Sequence, residues 1–85
     1  MTDNENQYAV LPFSNGQDYW AIAESGDWSA DNRTGRQAAA DLLRVMTFQD
    51  APHLLGFVVK AMMTKGRFGG VEAGFCQAIA EAAVE

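Results

Sequence analysis

The sequence predicts an α+β fold, an N-terminal β-hairpin packed on a three-helix unit with a central apolar second helix. Three features carry this expectation. Two runs rich in aromatic and β-favouring residues, 8–13 (YAVLPF) and 18–24 (DYWAIAE), flank an Asn-Gly turn signal. Apolar residues then recur at helical spacing as far as residue 83. Within that region, residues 54–63 are apolar on nearly every side.

Residues 1–7 carry no hydrophobic pattern, so they are expected to form a flexible tail ahead of a single domain over 8–85. The hairpin is placed at 8–24. Asn15 and Gly16 tolerate the positive φ of a tight turn, and Pro12 favours a three-residue loop, which sets its missing N–H opposite Asp18 at a non-bonded pair. A two-stranded ribbon is marginal alone and must lie on other elements.

The first helix is expected over about 30–48, capped by Thr34 with Gln37 or, for an earlier start, by Ser29 with Asp31 in its first turn. Ala39, Leu42, Leu43 and Met46 mark its apolar stripe, with Arg36, Asp41 and Arg44 mainly on the other side. The second helix is expected over 51–65, with Asp50 as N-cap, Pro52 in the first turn and Gly66 just past the end. His53, Gly56, Lys60 and Thr64 form a narrow polar stripe on it. The third helix is expected over 70–83, with Gly74 and its alanines small enough for close helix packing.

The chain has 85 residues, one cysteine and a net charge of −5, and its 48% hydrophobic content argues against wholesale disorder. A lone Cys76 forms no intrachain disulfide, and the polar acidic start lacks the basic and apolar regions of a secretory signal. These features lead to the expectation of a cytoplasmic protein without a membrane span. The charge is segregated: −6 over residues 1–31, +4 over 32–68 and −3 over 69–85. Duplex nucleic acid, which requires a strongly basic face, is disfavoured by that pattern.

Four groups of residues bear on function. His53 and Cys76 are the only imidazole and thiol; they read as a surface residue and a small packing residue, so no catalytic residue, metal site or cofactor is assigned. The turn 64–70 (TKGRFGG) delivers two cations and three glycines to a helix N-terminus, where free N–H groups and the helix dipole favour an anion. Lys65, Arg67, Gly69 and Gly70, with Arg33 and Arg36, are the candidate anion-binding residues. The same turn also reads simply as a helix end followed by a helix start. Tyr19, Trp20 and Trp28 are the candidate partner contacts, because the hairpin can bury only one of its faces. Met62 and Met63 read as core or, alternatively, as residues facing a partner helix.

The stretch DNRTGRQAAADLLRVM, with LLGFVVKAM and GRFGGVEAGFCQAIAEAA further on, resembles small bacterial proteins from chromosomes and mobile elements over about residues 31–83. That resemblance implies no activity and no functional residue. In size, acidity and lack of catalytic groups the chain is also similar in kind to phage-encoded inhibitors such as anti-CRISPR proteins, without a shared motif. The expectation is a small acidic non-enzymatic protein-interaction module, an inhibitor or adaptor, with a protein partner or a second copy of itself. The alternative is a binder of a small anion, a nucleotide or RNA through the 64–70 turn.

Overall fold

A computed structural model describes Phe13 and residues 18–84. The described part is three helices: α1 (Trp28–Gln49), α2 (Leu54–Lys65) and α3 (Gly70–Ala83). It is 71% helical and contains no strand, so the α+β expectation gives way to an all-helical fold. Most of the expected hairpin, residues 8–12 and 14–17, lies outside the described residues, as does the expected tail at 1–7.

The half of the hairpin that is described, residues 18–24, runs as a non-helical strap across the helices. The Ala21 N–H donates to the Phe13 carbonyl at 3.0 Å, and side chains of the helical unit also hold the strap. Lys65 pairs with Asp18, and Arg67 donates to the Ile22 carbonyl. The aromatic content that suggested cross-strand pairing serves instead as an anchor. Trp20 is fully buried, edge-on to Phe75 at 4.9 Å and to Phe13 at 5.6 Å. Its burial removes it from the expected partner surface.

Helix α1 begins earlier than expected. Asp27, rather than Ser29 or Thr34, is the N-cap, accepting from Ser29 N–H at 3.1 Å and Ala30 N–H at 3.4 Å. Asp31 does fall in the first turn, where it accepts from the Ser25 N–H and hydroxyl and ties the strap to the helix. Asp50 does not cap α2. It ends α1 in the left-handed conformation (φ 53°), and its N–H turns back to the carbonyls of Met46 and Thr47. The chain then turns through residues 51–53 before α2 starts at Leu54. Gly66 closes α2 at φ 73°, as its place just past the expected helix end suggested.

The main packing contact is between α1 and α3. It is close because small residues line it. A Cβ on Gly35 would overlap the backbone of Val71 and Phe75, and one on Gly74 would overlap the Asn32 carbonyl. Around this contact sit Ala38, Ala39, Leu42, Val71 and Phe75, all buried. Asp41, expected on the polar side of α1, is buried too, and it accepts from Gln37 at 3.1 Å and Arg44 at 2.7 Å.

The expectation of a central α2 is also overturned. Only Val58 and Met62 of α2 are buried, with Leu54, Leu55 and Ala61 partly covered. Among the described residues, the two other helices and the strap lack the surface to enclose a third helix on all sides. The stripe His53, Gly56, Lys60 and Thr64 faces outward, but Phe57, Val59 and Met63 flank it and are exposed with it.

Candidate functional site

The outer face of α2 follows from its sequence and its single covered side. At 100° per residue, burying Val58 and Met62 turns Lys60 to the opposite face, with Phe57 and Met63 about 120° round on either side and Val59 on the flank. Met63 is 73% exposed and Phe57 46% exposed, while neighbouring Met62 is buried. Of the methionine pair, Met62 is therefore core, while Met63 faces outward. Tyr19 leans on Phe57 with ring centroids 5.6 Å apart, and His53 meets the same ring edge-on at 5.7 Å. Between the strap and α2 lies an open groove of about 470 Å³, lined by Asp18, Tyr19, Phe57, Lys60, Ala61, Thr64 and Lys65. Its floor is aromatic and aliphatic, and its rim carries Lys60, the Thr64 hydroxyl and the Lys65–Asp18 ion pair. Lys60 has no ion pair among the described residues.

The 64–70 turn is organised differently, because its polar groups meet partners within the chain. Lys65 Nζ is bound to Asp18, which holds the Asp18 carboxyl below its ordinary value, helped by the Trp20 N–H. Arg67 Nε lies 3.8 Å from Glu24 and 3.6 Å from Glu72. The N–H of Gly69, the N-cap of α3, donates to Glu72 Oε1 at 2.8 Å. That is the half of a capping box that a glycine N-cap allows. Gly70 packs against α1, where an added Cβ would stand 2.9 Å from the Trp28 carbonyl. Arg36 makes a two-pronged ion pair with Glu81 on α3, at 3.1 and 3.0 Å. Arg33 is exposed on α1 without an ion pair among the described residues. The structure thus clusters Lys65, Arg67 and Gly69 along the strap, and leaves Arg33 and Arg36 on α1, Arg36 facing the C-terminal half of α3.

Glu72 is the residue that sequence reasoning missed. It is fully buried, and its second oxygen accepts from Trp20 Nε1–H at 2.8 Å. Burial raises its carboxyl, but hydrogen bonds from Gly69, Trp20 and Glu24 outweigh burial and hold it below the ordinary value. Its place three residues past a glycine N-cap was the available signal.

Of the expected partner contacts, Tyr19 is half-buried beside the groove and Trp28 is 59% exposed at the start of α1. Cys76 is exposed on α3. Desolvation of the thiol, and then the charge of Glu72, push it above its ordinary value, the reverse of an activated nucleophile. Among the described residues, no group of three or more His, Cys, Asp or Glu side chains is arranged to hold a metal ion, and no helix is long and apolar enough to cross a membrane. No protein-family model, curated protein or solved structure matches the chain.

Proposed function

We propose that this chain is a small acidic, non-enzymatic protein-interaction module and that the outer face of α2 is its docking surface. One observation carries the reading: an apolar helix in a chain of 85 residues keeps Phe57, Val59 and Met63 exposed beside an open aromatic groove. Exposed apolar surface of this kind with a polar rim marks interfaces. Methionine adapts to irregular partner surfaces, and aromatic side chains supply anchors.

The charge of the surface selects the partner. Residues 54–65 contain two lysines and no carboxylate in a chain whose net charge is −5. An amphipathic segment with acidic residues beside its apolar stripe complements Lys60, whereas a second copy offering the same face adds like charge. The alternative reading, a binder of a small anion, a nucleotide or RNA, requires Lys65 and Arg67 to leave Asp18, Glu24 and Glu72 for the ligand.

Site-specific photo-crosslinking tests the proposal. A photoreactive residue at position 59 or 63 is expected to give a discrete adduct in cells of the source organism, and the same residue at exposed Ala40 on α1 is not. The cross-linked segment is expected to be acidic and amphipathic. Uncross-linked protein from all three positions, or equal adducts from all three, overturns the reading. Lys60→Glu is expected to weaken the adduct without changing the melting temperature.

A further inference from the structure

Three carboxyl groups and one guanidinium converge where the strap crosses the head of α3. Glu72, from α3, is fully buried and accepts from the Gly69 N–H and from Trp20 Nε1–H, both at 2.8 Å. Glu24, from the strap, lies over Gly69 so closely that a Cβ there would overlap its carboxyl group. Its side chain is 30% exposed. Arg67 reaches both, with Nε 3.6 Å from Glu72 and 3.8 Å from Glu24, and its Nη2 donates to the Ile22 carbonyl of the strap. Asp31 of α1 adds negative charge to the field at Glu24, and Cys76 of α3 lies within the field of Glu72. One cation thus serves two carboxyl groups that crowd the same residue, Gly69.

Two carboxyl groups crowded around one guanidinium repel each other when both are ionised, and a proton shared between them removes that repulsion. Glu72, buried with two N–H donors, is the better anion. Glu24, at the open edge and carrying only the distant Arg67 contact in its favour, is the better place for the proton. We propose that Glu24 and Glu72 form a proton-sharing clasp that fastens the strap to the head of α3 and slackens when Glu24 ionises. On ionisation the hydrogen bond becomes a repulsion between like charges, and Arg67 offsets only part of it. The exposed partner, Glu24, then moves into solvent and loosens the backbone around it, while Trp20 keeps its bond to Glu72.

The direction of the pH dependence follows from the two groups. The Glu24 carboxyl is raised from its ordinary 4.5, first by the hydrogen bond to Glu72, then by desolvation and by the charge of Glu72. The stability it contributes is fully present below 4.5 and is lost as pH rises through the raised value. Glu72 is lowered from the same ordinary value, so its contribution is present above 4.5 and lost as pH falls through the lowered value. The clasp is therefore tightest in mildly acidic solution near 4.5 and loosest at neutral pH and above.

Amide hydrogen exchange of residues 20–26 in the full chain, corrected for intrinsic rates and followed from pH 4.5 to pH 7.5, tests this. Protection in the wild type is expected to fall by roughly threefold or more over that range, relative to amides in the middle of α1. Glu24→Gln, whose amide donates to Glu72 at every pH, is expected to keep its protection and to melt above the wild type at pH 7.5 but alongside it at pH 4.5. Glu24→Ala is expected to be loose at both. Parallel profiles for the wild type and Glu24→Gln, or a Glu24→Gln protein less stable than wild type at pH 7.5, overturn the proposal. If neither Glu24 variant folds, a wild-type profile flat with pH overturns it on its own.

Discussion

Helices α2 and α3 are equally apolar on average, yet they occupy opposite situations in the fold. Helix α3 buries Gly70, Val71, Glu72, Gly74 and Phe75 against α1 and the strap, whereas α2 buries only Val58 and Met62. Apolar content therefore did not decide which helix went inside. Shape did. Glycines at 35, 70 and 74 let the α1 and α3 backbones come together, and close approach multiplies dispersion contacts along the whole seam. Helix α2 offers large side chains at 57, 59 and 63, and its Gly56 meets nothing within 4 Å. It rests on the pair by one side and presents the other outward.

The same added methyl group should act oppositely on the two helix surfaces, and its largest effect is at the α1–α3 seam. Gly35→Ala forces a Cβ into the backbone of α3, which no rotamer change relieves. We expect a loss of roughly 3 kcal/mol, at the upper end of overpacking penalties, measured by urea unfolding. A loss below about 1 kcal/mol would mean that the seam yields and that close approach is not its basis.

Trp20→Phe comes next. It keeps much of the ring packing against Phe75 and removes the N–H that satisfies the buried Glu72. The expected cost is about 2 kcal/mol, because a buried carboxylate loses a donor. The variant should lose more stability at pH 7 than at a pH low enough to protonate Glu72, whose carboxyl is held below its ordinary value, because the neutral group needs the donor less. An equal loss at both values would assign the effect to lost volume alone.

Gly56→Ala is the smallest effect and has the opposite sign. The site is open, and alanine is the better helix former, so a gain of about 0.5–1 kcal/mol is expected. A stabilising Gly56→Ala beside a destabilising Gly35→Ala would show that the two glycines differ only in what stands opposite them.

Local signals were read well where they were short in range. The glycine-rich turn marked the junction of α2 and α3, and Gly66 and the start at Gly70 were placed from turn chemistry alone. The polar stripe His53, Gly56, Lys60 and Thr64 identified the outward side of α2. The same kind of signal failed when two readings competed. Asp50 suits a helix start as well as a left-handed helix end, and the backbone took the second. Residues 18–24 suit a strand by propensity, but propensity is a weak prior where side chains find tertiary partners. Once Trp20 reaches Glu72, Asp18 reaches Lys65 and Arg67 reaches the Ile22 carbonyl, the segment is held as a strap.

The candidate site divides along the same line. Phe57, Lys60 and Met63 were visible as residues, but their exposure depends on how much of α2 the rest of the chain covers, and coverage is a sum over distant contacts. The clasp is further still from what can be read along the chain, because Glu24, Arg67 and Glu72 meet only after the strap has crossed the helix pair. By itself the sequence determined the helical spacing, the turn at 64–70 and the small residues that permit one tight seam, since each depends on neighbours within a few positions. Only the tertiary structure decided that the seam joins α1 to α3, that α2 lies outside it, and that a carboxyl pair closes over Gly69. Those outcomes rest on packing and desolvation between residues up to about fifty positions apart, such as Trp20 and Glu72, which no local pattern encodes.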